Sequence, residues 1–333
     1  MTQEQNQSNK ALVQAFWHDL ENGHSAEKHL SRNCRFFGPA PIQTAVGAKD
    51  FENDYWNPLA SAFGQLQRET HIFMGGLSSG AVSGKGDRKA WVGGTGYLHG
   101  HFDKDYLSIP ASNKPISIRW GEFCCIEEGK IVDIYLLLDF IDLMQQADIH
   151  VLPPARGEDG IYPPPAVADG VLFEPQDADL SSYSLEHIRR FIFDGLNSYD
   201  QSKLNSMGLA DYFHPEIKWY GPGGIGACLS FKEFQDLHQR PWLHAFPDRQ
   251  VKDLTALIAE GNYSGGPGWA GVLATHKGDY LDVAATGKTI EINGLDFWKR
   301  QGEQYIENWV FVDMIHLFDQ MGIDLMARAQ EQR

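Results

Sequence analysis

The sequence has few cysteines, few basic residues and no long hydrophobic run. Its four cysteines include no CxxC pair, which excludes a disulfide-stapled scaffold and predicts free thiols in a reducing, cytoplasmic compartment. The chain has only 28 Lys and Arg residues against 44 Asp and Glu residues, and the resulting net charge of −16 repels phosphate backbones and anionic lipids. We therefore expect neither nucleic acid nor a membrane surface as a partner. The longest apolar stretch, 134–144, contains two aspartates and is too short to span a bilayer.

Motifs for metals and nucleotide cofactors are also missing. No HExxH or regularly spaced set of His, Cys and Asp indicates a metal site. The run GPGGIG at 221–226 fits GxGxxG, but no strand–helix unit of Rossmann type surrounds it. We expect the protein to use no metal and no cofactor.

An internal repeat is the most informative positive feature of the chain. Matching residues recur in the same order in both halves: Gly38-Pro39 with Gly221-Pro222, Lys49 with Lys232, Phe51 with Phe234, Phe123 with Phe297, Asp139 with Asp313, and Gln146 with Gln320. The repeat predicts two domains of about 140–150 residues, a usual domain size, at 8–149 and 184–330. Between them, 150–183 holds six of the 16 prolines and predicts an extended, acidic linker.

Both predicted domains begin with a helix and continue with strands. Apolar residues recur at helical spacing in 12–20 and 185–196, Ser184 is a candidate N-cap, and a capping box starts another helix at Ser230. Alternation with a period of two then predicts strands at 251–259, 269–280, 289–299 and 305–313. Helices followed by an antiparallel meander define an α+β fold. We expect two tandem cone-shaped α+β barrels, each a curved, mostly antiparallel sheet wrapped on N-terminal helices.

Several segments of the second half resemble a known family. They are AFPD at 245–248, THKG at 275–278, ATGK at 285–288 and the closing NWVFVDMIHLFDQMG at 308–322. With them the second half resembles the SnoaL-like polyketide cyclases, which belong to the nuclear-transport-factor-like, cystatin-like superfamily of α+β barrels. The first half is similar more weakly, because Tyr135 stands where the second half has Trp309.

The resemblance implies roles for particular residues. Asp313 is implied as the general acid/base of an aldol ring closure, and His276 as its helper. Asp139 and His99 hold the corresponding positions in the first half. Members of the superfamily also isomerise, dehydrate, hydrolyse epoxides or only bind ligands, so the fold transfers better than the reaction. Because its closing motif is fuller, we expect the second half to carry the function.

Strand alternation leaves two interpretations of Asp313. It shares a strand face with Trp309 and Phe311, which we expect to point into the cone and to raise the pKa of the carboxyl by desolvation. A base of this kind suits removal of a carbon-bound proton. Alternatively, Asp313 directly precedes a helix and serves as its N-cap.

Further residues complete the predicted site. Asp296 and its counterpart Glu122 share strand parity with apolar residues, so each is either a second cavity carboxylate or a strand-end acid in water. His276 is either a substrate-polarising or a structural histidine. The aromatic residues expected to bind substrate are Tyr220, Trp242, Trp298, Trp309 and Phe311.

Two functional hypotheses follow from this pattern. In the first, the second domain is a cofactor-independent cyclase, isomerase or hydrolase for a small, hydrophobic, carbonyl-bearing molecule. In the second, the same cone is a non-catalytic ligand-binding or assembly module. Convergent polar groups in an apolar cavity favour chemistry, whereas a filled or wholly apolar cone favours the second hypothesis. We expect the two domains to pack as an internal pseudo-dimer, and a homo-oligomer is a further possibility.

Overall fold

Two mixed β-sheets, one in each half of the chain, organise the computed structural model, which describes residues 1–84 and 88–332. The first sheet contains β1 (Leu30–Phe37), β2 (Thr44–Val46), β3 (Phe63–Leu77), β4 (Ala90–Phe102), β5 (Pro115–Glu127) and β6 (Lys130–Leu138). The second contains β7 (Phe213–Tyr220), β8 (Ala227–Cys228), β9 (Gln250–Val251), β10 (Ile258–Glu260), β11 (Tyr263–Thr275), β12 (Thr289–Gln301) and β13 (Gln304–Val312). Their strand orders are β2-β1-β6-β5-β4-β3 and β10-β11-β12-β13-β7-β8, with β9 also paired to β11.

Each half contains a strand that the sequence pattern does not predict. β1 and β7 follow the first helices and pair in parallel with the last strands, β6 and β13. The register between β1 and β6 shifts between Leu30 and Arg35, and this irregularity disturbs the strict alternation that identifies a strand. The long pairing of each strand is with a parallel partner far along the chain, and its nearby antiparallel partner, β2 or β8, has only three or two residues. The α+β class and the antiparallel order of the long strands are confirmed, but each sheet is mixed. The strand predicted at 251–259 is wrong: only the short β9 and β10 form at its two ends.

Helices begin and end each half. The α-helices are Gln3–Glu21, Gly47–Phe51, Asn57–Ala62 and Phe140–Gln146 in the first half, and Ala178–Arg189, Leu209–Tyr212, Phe231–Glu233, Arg240–Ala245, Met314–Met321 and Leu325–Gln330 in the second. π-helical segments continue three of them at Glu52–Trp56, Arg190–Gly195 and Phe234–Gln239. Ser230 caps its helix as predicted, but the helix expected at Ser184 begins at Ala178 because Asp177 supplies the capping oxygen. Within the described ranges, no helix is both long and apolar enough to cross a membrane.

The segment between the halves is extended and is hydrogen-bonded to both of them. The Tyr162 amide donates to the Tyr97 hydroxyl of the first half at 2.7 Å. A few residues later, the Ala166 amide donates to the Glu307 carboxylate of the second half at 3.1 Å. The proline-rich sequence therefore lies across both halves, since its amides donate to acceptors in each.

The two sheets pack against each other across a surface that we call the seam. Its apolar core includes Met74, Phe123, Leu295, Phe297, Trp309 and Phe311. The rings of Phe123 and Phe297, one from each half, stack with centroids 4.8 Å apart. Because these side chains are buried only when both sheets are present, the seam links the stability of one half to the other.

Separating the halves is expected to cause self-association. A fragment spanning 176–333 exposes Phe297, Trp309 and Phe311, which lie 0–2% exposed in the intact chain. An uncovered apolar face of this kind favours pairing with a second copy or aggregation. Light scattering on the fragment, with the full chain as the control, measures this. A monodisperse, monomeric fragment would contradict the prediction.

Candidate functional site

A cavity of about 200 Å³ opens inside the second half, between its sheet and its helices. Much of the wall is aromatic, from Phe191, Phe213, Trp219, Phe234, Trp242 and Trp298. β12 and β13 supply the opposite side with Ile292, Gly294, Asp296, Asn308 and Val310. The cavity is therefore largely apolar, with a small number of polar side chains in its wall.

A glycine lines this cavity at the position where the first half has a buried tryptophan. Gly294 stands two residues before Asp296 on β12, and Trp120 stands two residues before Glu122 on the equivalent strand β5. The Trp120 side chain is fully buried, and its ring lies against the Arg68 guanidinium at 3.3 Å. The two half-chains therefore enclose differently shaped spaces, and the sequence motifs alone do not reveal the difference.

Asp296 is the carboxyl group that lines the cavity. It lies on the same face of β12 as Ile292 and Trp298, as strand parity predicts, and it is paired with Val310 on β13. Burial raises the pKa of Asp296 to about 7, and a hydrogen bond from the Asn308 side chain opposes that rise. Near neutral pH the group therefore exists in both its basic and its acidic form.

Further polar groups line the same cavity. Burial lowers the pKa of His238 to about 3, so its ring, stacked on Trp219 at 4.1 Å, stays uncharged. The Trp298 indole N–H has no hydrogen-bond partner among the described residues. The Arg249 guanidinium, whose pKa burial lowers to about 10, donates to the Leu196 carbonyl at 2.8 Å. The sequence pattern did not mark Asn308, His238 or Arg249 as site residues. Asn308 nevertheless lies on the same face of β13 as Val310, and this face lines the cavity.

Asp313 caps a helix and joins the two halves. One carboxylate oxygen accepts the His316 amide at 3.1 Å, and the other accepts the Ala40 amide of the first half at 2.9 Å. Burial raises the pKa of Asp313 to about 6, against these two backbone donors. Asp313 is not among the described residues that line the cavity. The contact with the His316 amide is that of a helix N-cap, which was the second interpretation of Asp313.

Asp139 repeats this arrangement in the first half. Its carboxylate accepts the Asp142 amide at 3.1 Å and, across the seam, the Gly223 amide at 2.9 Å. Each of the two repeated aspartates therefore caps a helix in its own half and accepts a backbone amide from the other half.

The other predicted site residues are dispersed. His276 is buried beside Phe246 and contacts the Thr286 hydroxyl at 3.1 Å, and burial lowers its pKa. His99 contacts Glu69 at 2.7 Å on the first sheet. Neither histidine is among the described residues lining the cavity.

The aromatic candidates divide between the cavity and the seam. Trp242 and Trp298 line the cavity, Tyr220 and Trp309 lie in the seam, and Phe311 belongs to the seam core and also contacts the cavity. The face of β13 that carries Trp309 was expected to point into the cone. It points at the other half. The opposite face of the strand, with Ile306, Val310 and Val312, is also apolar, so hydrophobicity in the sequence does not distinguish the two faces.

Comparison with known proteins finds a match in the second half. Residues 187–321 match the family model of the SnoaL-like polyketide cyclases, so this part of the chain is similar to that family. No curated protein has a sequence that matches this chain.

Solved structures align with less than half of the chain. A SnoaL-like polyketide cyclase from Agrobacterium tumefaciens is 15% identical, covers 41% of this chain and 98% of its own, and has a TM-score of 0.32. An NTF2-like protein from Burkholderia thailandensis is 22% identical, covers 40% and 95%, and also has a TM-score of 0.32. Across residues 1–84 and 88–332, no group of three or more His, Cys, Asp and Glu side chains is placed to hold a metal ion.

Proposed function

We propose that the second half is a cofactor-independent acid–base enzyme acting on a small, hydrophobic carbonyl compound, with Asp296 as the proton-transferring group. The observation that carries this proposal is the position of Asp296, a carboxyl with a pKa of about 7 on the wall of an apolar cavity. A base whose pKa lies near the working pH is present in its ionised form and still accepts a proton effectively. The similarity of the second half to the SnoaL-like polyketide cyclases supports a cyclase or isomerase reaction.

The chemistry requires one proton and one electron pair to move. Ionised Asp296 takes a proton from the carbon beside the substrate carbonyl, and the C–H electron pair moves to form an enolate. A nearby N–H donor stabilises the charge that develops on the enolate oxygen, and the unpartnered Trp298 indole is such a donor. Return of the proton to a different atom gives isomerisation. Attack of the enolate carbon on a second carbonyl forms the ring and an alkoxide, which takes the proton back from Asp296.

The cavity wall supports binding of the neutral, apolar part of such a substrate. Trp219, Trp242 and Phe213 offer aromatic surface, and His238 beside them is uncharged at neutral pH. In this proposal Asp313 and Asp139 act in the structure rather than in proton transfer, because each is occupied by two backbone amides.

Exchange of carbon-bound protons tests this proposal without a known product. The full chain is incubated with α-tetralone, a bicyclic aromatic ketone, in D₂O, and loss of the proton signal beside the carbonyl is followed by NMR. We expect exchange faster than in buffer. Binding of the ketone without faster exchange would favour the alternative, a non-catalytic ligand-binding module, which the largely apolar wall also suits.

The exchange rate should depend on the ionisation of Asp296. Only the carboxylate removes a proton, and the pKa is about 7. The rate is therefore expected to rise about tenfold per pH unit below pH 7 and to level off above it. The measurement is the exchange rate between pH 5 and pH 9, corrected for the rate in buffer. A rate that falls as the pH rises through 7 would contradict the assignment.

A further inference from the structure

The first half contains a separate cavity of about 490 Å³ with a different lining. The N-terminal helix Gln3–Glu21 forms one wall with Ala15 and Trp17, and Arg68 and Glu122 line it from strands β3 and β5. Phe73 and Phe173 add apolar surface. None of these residues belongs to the cavity of the second half.

Two tryptophans hold the Arg68 guanidinium in place. Its central carbon lies 4.1 Å from the ring of Trp17 and 3.3 Å from the ring of Trp120. The side chain is 7% exposed, and one terminal nitrogen, Nη2, donates to Oε1 of Glu122 at 2.6 Å. A planar cation stacked between two rings is fixed in orientation as well as in position.

This pairing leaves one donor and one acceptor unused. Oε1 of Glu122 accepts from both Arg68 and the Trp17 indole, the latter at 2.7 Å. Oε2 of Glu122 and Nη1 of Arg68 are buried and have no hydrogen-bond partner in residues 1–84 and 88–332. Buried polar groups are normally satisfied, so an orphaned pair on a cavity wall indicates a ligand that completes it.

Charge selects the kind of ligand. A carboxylate would meet the carboxyl groups of Glu122 and Glu21, both of which line the cavity. An ammonium group would meet the fixed positive charge of Arg68. A neutral carboxamide avoids both conflicts, because its oxygen accepts from Nη1 and its N–H donates to Oε2.

We infer that the first half is a second binding site, which takes a small molecule bearing a carboxamide group. Arg68 and Glu122 bind the amide, and Trp17, Phe73 and Phe173 contact the apolar body of the ligand. The inference goes beyond the proposed function, since it involves no reaction and no residue of the second-half cavity.

Benzamide is the probe for this site, and benzoate and benzylamine are its charged counterparts of similar shape. Binding to the full chain is measured by saturation-transfer NMR and calorimetry. We expect benzamide to bind with a dissociation constant of about 1 mM, as suits a fragment of this size, and more tightly than either charged probe. Arg68→Met is expected to weaken benzamide binding at least about tenfold, because it removes the donor.

A second variant guards against a folding defect in Arg68→Met. Ala15 is exposed on the helix surface at the cavity rim, so Ala15→Trp obstructs the entrance without disturbing the core. It should weaken benzamide binding as Arg68→Met does, while Asp296→Asn leaves it unchanged. Benzamide binding that survives Ala15→Trp, that is absent from the wild type, or that is weaker than binding of benzoate or benzylamine would overturn the inference.

Discussion

Asp296→Asn is expected to reduce the proton-exchange rate by a factor of about 10²–10⁴, the usual contribution of a positioned general base. The substitution keeps the shape of the side chain and removes the group that accepts the proton. Its neighbours on the wall, Asn308 and Trp298, are retained, so binding of α-tetralone should change little. NMR exchange rates and ketone affinity, measured on the same sample, separate the two effects.

The same substitution should make the protein more stable at neutral pH. The folded-state pKa of Asp296 lies above its unfolded value, so stability falls as the pH rises from about 4 to about 7 and the buried group loses its proton. Asn carries no charge and removes this loss. Thermal unfolding of the wild type and of Asp296→Asn at pH 5 and pH 8 measures the difference.

Asp313→Asn is the matched control for proton transfer. It makes the same chemical change at a carboxyl group that accepts the Ala40 and His316 amides outside the cavity lining. We expect it to keep most of the exchange activity and to lower the melting temperature. A large loss of exchange in Asp313→Asn, with exchange retained in Asp296→Asn, would reverse the assignment and restore Asp313 as the base.

Lys10→Met is expected to cost about 3–5 kcal/mol in the free energy of unfolding. Lys10 and Glu260 form a buried ion pair across the two halves, with 2.8 Å between Nζ and Oε1 and side chains only 2% and 5% exposed. Glu260 also accepts the Gly75 amide at 2.7 Å. Removal of the lysine leaves the carboxylate buried without its counter-charge. Denaturant unfolding of the full chain gives the free energy.

Two further variants identify the cause of that loss. In Lys10→Met with Glu260→Gln the unpaired charge is gone, so part of the stability should return. Lys28→Met removes an exposed lysine that also pairs with a carboxylate, Asp19, and should change stability little. Equal losses in Lys10→Met and Lys28→Met would mean that the pair between the halves is not buried in solution.

More of the fold than of the functional site could be predicted from the sequence. Helical spacing, alternation and the closing motif at 308–322 point to the α+β class and to the family that the second half resembles. β1 and β7 are missed because their long pairings are with distant, parallel strands, their neighbouring antiparallel partners β2 and β8 are very short, and a register shift disturbs the alternation.

The sequence does not determine which face of β13 points into the cavity. Alternation correctly groups Trp309 with Phe311, but it does not say which of two largely apolar faces meets the cavity. The large aromatic residues suggested the cone, whereas packing between the sheets takes Trp309 into the seam. Asn308, on the other face, is the residue that reaches the cavity. Asp296 could be identified because it lies on the same face of β12 as Ile292, and that face lines the cavity.

The contrast between Gly294 and Trp120 has a consequence for how such a protein can diversify. In a homodimer of identical subunits, one substitution alters both pockets at once, because both subunits have the same sequence. Joined in a single polypeptide, the two pockets are encoded separately. A bulky indole can then occupy one interior and a hydrogen atom the same position in the other. Each pocket is thereby free to acquire its own ligand while the shared packing between the sheets is preserved.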